Sequence, residues 1–124
     1  MQQVVIRWLW AFVSCLALIM IVSLMPVNGT GWFPGQDKIM HAISFAALFL
    51  MGSQAFPRLA SWWRLHLGLL IYGALIEWLQ GKTGYRSMEA WDVVADISGL
   101  VLGNLTLVFF TKKRVGSKTY FQLF

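Results

Sequence analysis

The stretch Glu77-Trp78-Leu79-Gln80, followed by Gly81, Lys82, Thr83, Gly84 and Tyr85, and then by Arg86, Glu89, Asp92, Asp96, Gly99 and Gly103, decides how this chain is read. Four of the five acidic residues lie in it, and the fifth, Asp37, stands beside Lys38 and four residues before His41. Positions 89, 92, 96, 99 and 103 are separated by three, four, three and four residues, so on an α-helix they form one stripe, acidic at its start and glycine further along. Glu77 and Gln80, three apart, share a face on the helix before it.

The rest of the composition explains why such a stripe matters. Of the 124 residues, 58% are hydrophobic and only 12% charged, the mean hydropathy is +0.65, and seven residues are Trp. These values point away from a soluble domain and toward a small integral membrane protein. The net charge of +5 is spread between long apolar runs rather than gathered in a stripe or groove, so no nucleic-acid partner is expected. Cys15, the single cysteine, lies inside an apolar run and reads as a small packing residue; no internal disulfide can form.

Taken in order, the chain predicts four spans. Trp8 to Met25 carries no charge and would cover about 27 Å as a helix, close to the thickness of a bilayer core. Arg7 and the apolar core also resemble a signal peptide, the alternative reading of this segment, but the run is long for one and no clean small-x-small cleavage site follows. Pro26, Asn28, Gly29, Gly31, Pro34 and Gly35 then make a loop, with Asp37 as the expected cap of the next helix. The second span covers about 38–56 and ends at Pro57 and Arg58. A basic, aromatic hairpin (Arg58, Trp62, Trp63, Arg64) leads into the third span, about 65–80, with Gly68 and Gly73 as expected close-packing points. The fourth covers about 87–111 with Ser87 as its N-cap, and 112–124 is a basic cytoplasmic tail containing Lys112, Lys113, Arg114 and Lys118.

Basic residues in short loops are retained on the cytoplasmic side. With both termini inside, that side collects seven (Arg7, Arg58, Arg64, Lys112, Lys113, Arg114, Lys118) and the other side three (Lys38, Lys82, Arg86). The expectation is therefore an all-α, four-helix transmembrane bundle in the cytoplasmic (inner) membrane with both termini cytoplasmic. In that topology Asp37, Lys38, His41, Glu77, Gln80, Arg86, Asp92 and Asp96 converge at the outer face, and Gly99 and Gly103 mark a close helix contact. Intramembrane ionisable groups face a bundle interior or a cavity and are functional by default. The plain structural alternative is ion pairing that sets helix register without chemistry. His66, at the far end of the third span, reads as a packing residue, and the tryptophans as an aromatic belt.

Asp37, Lys38, His41, Phe45 and Leu48, then Glu77 and Gln80, then Arg86, Asp92, Gly99 and Gly103, at these spacings, resemble the VanZ-like family of bacterial membrane proteins over roughly residues 37–103. One position departs: Asp96 stands where the family usually has asparagine, which adds a titratable group. The resemblance implies a cell-envelope protein of a family whose founding member contributes to teicoplanin resistance.

Two functions follow as expectations. The first is a ligand-binding membrane protein, whose outward pocket takes an envelope-related, lipid-linked or glycopeptide ligand through Asp37, Lys38, His41, Glu77, Gln80, Arg86, Asp92 and Asp96, with Lys38 and Arg86 on an anionic group. The alternative is a membrane-embedded enzyme in which His41, Glu77, Asp92 and Asp96 supply acid and base. A metal on Asp92, Asp96, Glu77 and His41 is chemically conceivable, but their spacing matches no metal motif, so neither metal nor cofactor is expected. Transport would need polar groups through the full thickness, and the inner halves of the spans are nearly free of them. Membrane lipid is the expected partner, and oligomerisation stays open.

Overall fold

The computed structural model describes residues 1–26, 31–60 and 63–122, and for 60 and 115–122 the backbone alone. It is all-helical: α1 (Gln2–Leu24), α2 (Gln36–Ala55), α3 (Pro57–Ala60), α4 (Trp63–Lys82) and α5 (Ala90–Gln122). Asn28, Gly29, Trp62 and Phe124, assigned above to loop, hairpin and tail, lie outside the described residues.

The number of helices that pass as membrane spans is two rather than four. Among the described residues, only α1 and the segment Ala90–Arg114 of α5 are long and apolar enough by length and composition. The reason is local. Asp37, Lys38, His41, Ser53 and Gln54 dilute α2, and Arg64, His66, Glu77, Gln80 and Lys82 dilute α4. The expected hairpin between the second and third spans is also different: Pro57 cannot donate the hydrogen bond that would continue α2, but it suits the first position of a new turn, and so it opens α3.

Helix starts differ from expectation as well. Gly35 occupies the position before α2 with φ of 83°, a conformation that costs glycine little, and Asp37 lies inside the first turn without capping it. α5 begins at Ala90 instead of Ser87, whose hydroxyl donates to Glu89 Oε1 at 3.1 Å. It also runs past Thr111 to Gln122, so the basic segment after the expected span continues as helix.

α2 and α4 form the middle of the fold, running antiparallel, with α1 on one side and α5 on the other; the backbones of α1 and α5 make no close approach among the described residues. The α2–α5 contact is the most extensive, and glycine sets it. A Cβ on Gly99 would collide with the backbone carbonyl of Ala42, and one on Gly103 would come within 3.1 Å of the Ala46 carbonyl. The apolar core, with Phe12, Phe45, Leu48, Phe49, Leu65 and Leu69, fills the half of the bundle around the end of α2. His66 stacks on Phe49 there, with ring centroids 4.6 Å apart. Gly68 meets nothing within 4 Å and is not a packing point, whereas a Cβ on Gly73 would come 2.5 Å from Asp96 Oδ2.

The opposite end is tied by polar contacts. Gln80 donates to the Ser23 carbonyl at 2.9 Å and the Tyr85 hydroxyl to the Leu24 carbonyl, while beside the apolar core, at the middle of α4, the Tyr72 hydroxyl donates to the Leu16 carbonyl. The end of α1, the start of α2, the end of α4 and the start of α5 therefore share one end of the bundle.

Candidate functional site

At that shared end the parallel register of α2 and α5 places Lys38 beside Asp92 and His41 beside Asp96, and the antiparallel α4 brings Glu77 between them. Two groupings result.

The outer one is organised by Lys38. Its ammonium donates to Asp37 Oδ2 at 2.8 Å, Glu89 Oε2 at 2.7 Å and Asp92 Oδ1 at 2.9 Å. The side chains of Asp37 and Glu89 are 45% and 44% exposed, so this grouping is wet on one side. Asp37 lies just before the apolar run, and the hydrogen bond from Lys38 holds its carboxyl below the usual range. That preference is stabilising above the ordinary aspartate range and is lost as pH falls through the lowered value.

The inner grouping is nearly dry. Glu77 and Asp96 have side chains 1% exposed, Asp92 8% and His41 11%. His41 Nδ1 lies 2.8 Å from Asp96 Oδ1, which as a carboxylate accepts and so fixes the proton on Nδ1. His41 Nε2 then faces Glu77 Oε1 at 3.8 Å and Asp92 Oδ2 at 3.9 Å. The other oxygen of Glu77, Oε2, accepts the backbone N–H of Glu89 at 3.1 Å. Glu77 Oε1 and Asp96 Oδ2 are buried without a hydrogen-bond partner among the described residues. Gly73 leaves the room in which Asp96 Oδ2 sits.

Of the eight expected ligand-binding residues, six (Asp37, Lys38, His41, Glu77, Asp92, Asp96) are brought together, and Glu89 joins them. Its signal was present in the sequence, as the first member of the acidic stripe. Gln80 is buried but turned to α1, where it ties helix ends rather than facing the cluster. Arg86 is half-buried in the turn beside the cluster, and among the described residues no carboxylate lies within ion-pair distance of it. An apolar groove of about 270 Å³, lined by Phe12, Leu16, Phe56, Leu65 and Tyr72 among others, includes none of these residues.

The arrangement defines a class only: a helical protein with a buried histidine–carboxylate cluster at one end. Comparison with protein-family models, with curated proteins and with solved structures gave no match.

Proposed function

We propose that this chain is a small multi-pass protein of the cytoplasmic membrane, with four spans, both termini cytoplasmic, and a polar cluster at the outer face that binds an envelope-related or lipid-linked ligand. The observation that carries this reading is an inverted surface. Large apolar side chains such as Leu18, Ile43, Ile71, Val101 and Leu105 point outward on all four long helices, while Glu77, Asp92 and Asp96 point inward. Soluble domains do the reverse. The outward hydroxyls of Ser98, Thr106 and Thr111 each donate to the carbonyl four residues back, as suits apolar surroundings. α2 and α4 enter the bilayer on this reading because His41, Glu77 and Gln80 are turned inward against α5 and α1, while the exposed Asp37, Gln54, Arg64 and Lys82 stand at the helix ends.

Lys38 is committed to three carboxylates, so its part is to hold the cluster, and Arg86 is the side chain offered to a phosphate or carboxylate on the ligand. The resemblance to VanZ-like proteins adds the envelope setting and an effect on glycopeptide susceptibility. Lipid mass spectrometry of purified protein is the test. An anionic lipid-linked species retained by wild type and lost from Arg86→Ala is expected; identical lipid profiles refute the reading. Alkaline phosphatase fused after residue 84 should be active and after residue 60 inactive, and the reverse pattern would overturn the topology.

A second reading, a membrane-embedded enzyme, is favoured by one observation: Asp96 fixes His41 so that Nε2 faces the two other acids, as an acid–base histidine requires. Turnover of a lipid substrate, abolished by His41→Ala, would establish it over simple binding.

A further inference from the structure

Each of three side chains in the inner grouping has one polar atom held and the other aimed at a common point. His41 is held through Nδ1 by Asp96, leaving Nε2. Glu77 is held through Oε2 by the Glu89 N–H, leaving Oε1, which is buried and without a hydrogen-bond partner among the described residues. Asp92 is held through Oδ1 by Lys38, leaving Oδ2. Nε2 lies 3.8 Å from Oε1 and 3.9 Å from Oδ2, and one donor atom from each residue falls within 4.8 Å of the others.

This is how metal ligands are prepared: a histidine oriented by a carboxylate on its other nitrogen, and carboxylates oriented by hydrogen bonds on their other oxygen. Ligands about 2.1 Å from a tetrahedral zinc lie about 3.4 Å apart, so Nε2 needs to approach each of the two oxygens by only a few tenths of an ångström. Two buried carboxylates facing one another also carry a charge that a cation would neutralise. We infer that His41 Nε2, Glu77 Oε1 and Asp92 Oδ2 bind one divalent transition-metal cation, with Asp96 as the residue that positions His41. One imidazole with two carboxylates suits Zn²⁺ or Mn²⁺, and three protein ligands leave coordination positions open. The inference rests on the cluster proposed above as the site, and it would give an anionic ligand group a partner there besides Arg86.

The test is titration of full-length protein in detergent, stripped with chelator, with Zn²⁺ alone, read by calorimetry and by elemental mass spectrometry. One Zn²⁺ per chain is expected. Glu77→Gln, close to isosteric, should weaken binding at least about 100-fold while helicity and elution volume are kept; Asp96→Asn should weaken it about 10- to 100-fold, the range for a group that orients a ligand. Gln80→Ala should bind as wild type does. Absence of saturable binding to wild type, or equal affinity in Glu77→Gln, overturns the inference. Lipid retention that depends on Arg86 without zinc binding would sink the metal site alone, and zinc binding without any retained lipid would sink the ligand reading alone.

Discussion

The two groupings at the end of the bundle share Asp92 and differ in what stands among their donors. In the outer one, three carboxylates surround the ammonium of Lys38, and the chain supplies its own cation. In the inner one, a few ångströms deeper, His41, Glu77 and Asp92 meet with each side chain tied from behind and the facing atoms still at 3.8 and 3.9 Å. The outer arrangement shows what the fold does when acids are only to be neutralised: a lysine reaches them at hydrogen-bond distance. The inner arrangement holds acids apart around a histidine in a dry setting, which makes sense when an external cation is to complete it.

The contrast can be broken from several directions. Gly99→Leu should have the largest effect, because the added side chain meets the Ala42 backbone and must drive α2 from α5; a cost above about 3 kcal/mol is expected in thermal unfolding, with both groupings lost. Lys38→Met comes next. It leaves Asp37, Glu89 and Asp92 without their ammonium, should cost about 1–3 kcal/mol, and should turn the outer grouping into a cation site, so that titration with Mn²⁺ rises from one ion per chain toward two. A Lys38→Met protein as stable as wild type would mean that the ammonium is not what holds the outer acids. Gly73→Ala should cost about 1–3 kcal/mol by pressing on Asp96 Oδ2 and Phe45, and should weaken Zn²⁺ binding as well; a normal zinc affinity would separate Asp96 from the positioning of His41. Gly68→Ala, with open space around it, should change stability by less than about 1 kcal/mol.

Periodicity carried much of this site. The spacing of Glu89, Asp92, Asp96, Gly99 and Gly103 put them on one face of a helix, and both glycines do lie against α2. What spacing cannot carry is the rotation of one helix against another. Gln80 shares a helical face with Glu77 at the resolution of a three-residue step, yet Glu77 turns to the cluster and Gln80 to α1. Gly68 and Gly73 looked alike in sequence, and only the packing of α4 separates an outward position from one beneath Asp96. Turn chemistry hid in the same way: Pro57 read as a stop, and it is also the start of α3. α2 and α4 are less apolar than α1 partly because of cluster residues (Lys38, His41, Glu77) and partly because of others outside the cluster, such as Gln54, Arg64, His66 and Gln80, and spacing alone does not separate the two groups.

If His41 Nε2, Glu77 Oε1 and Asp92 Oδ2 act together on one cation, Mn²⁺ gives the most direct test of it. Electron spin-echo spectroscopy of the Mn²⁺-loaded full chain reads nitrogen bound to the metal. The expected result is ¹⁴N modulation from a single histidine, abolished by His41→Gln and kept in His66→Gln. Bound Mn²⁺ without a nitrogen signal, or with one that survives His41→Gln, would contradict the shared cation site.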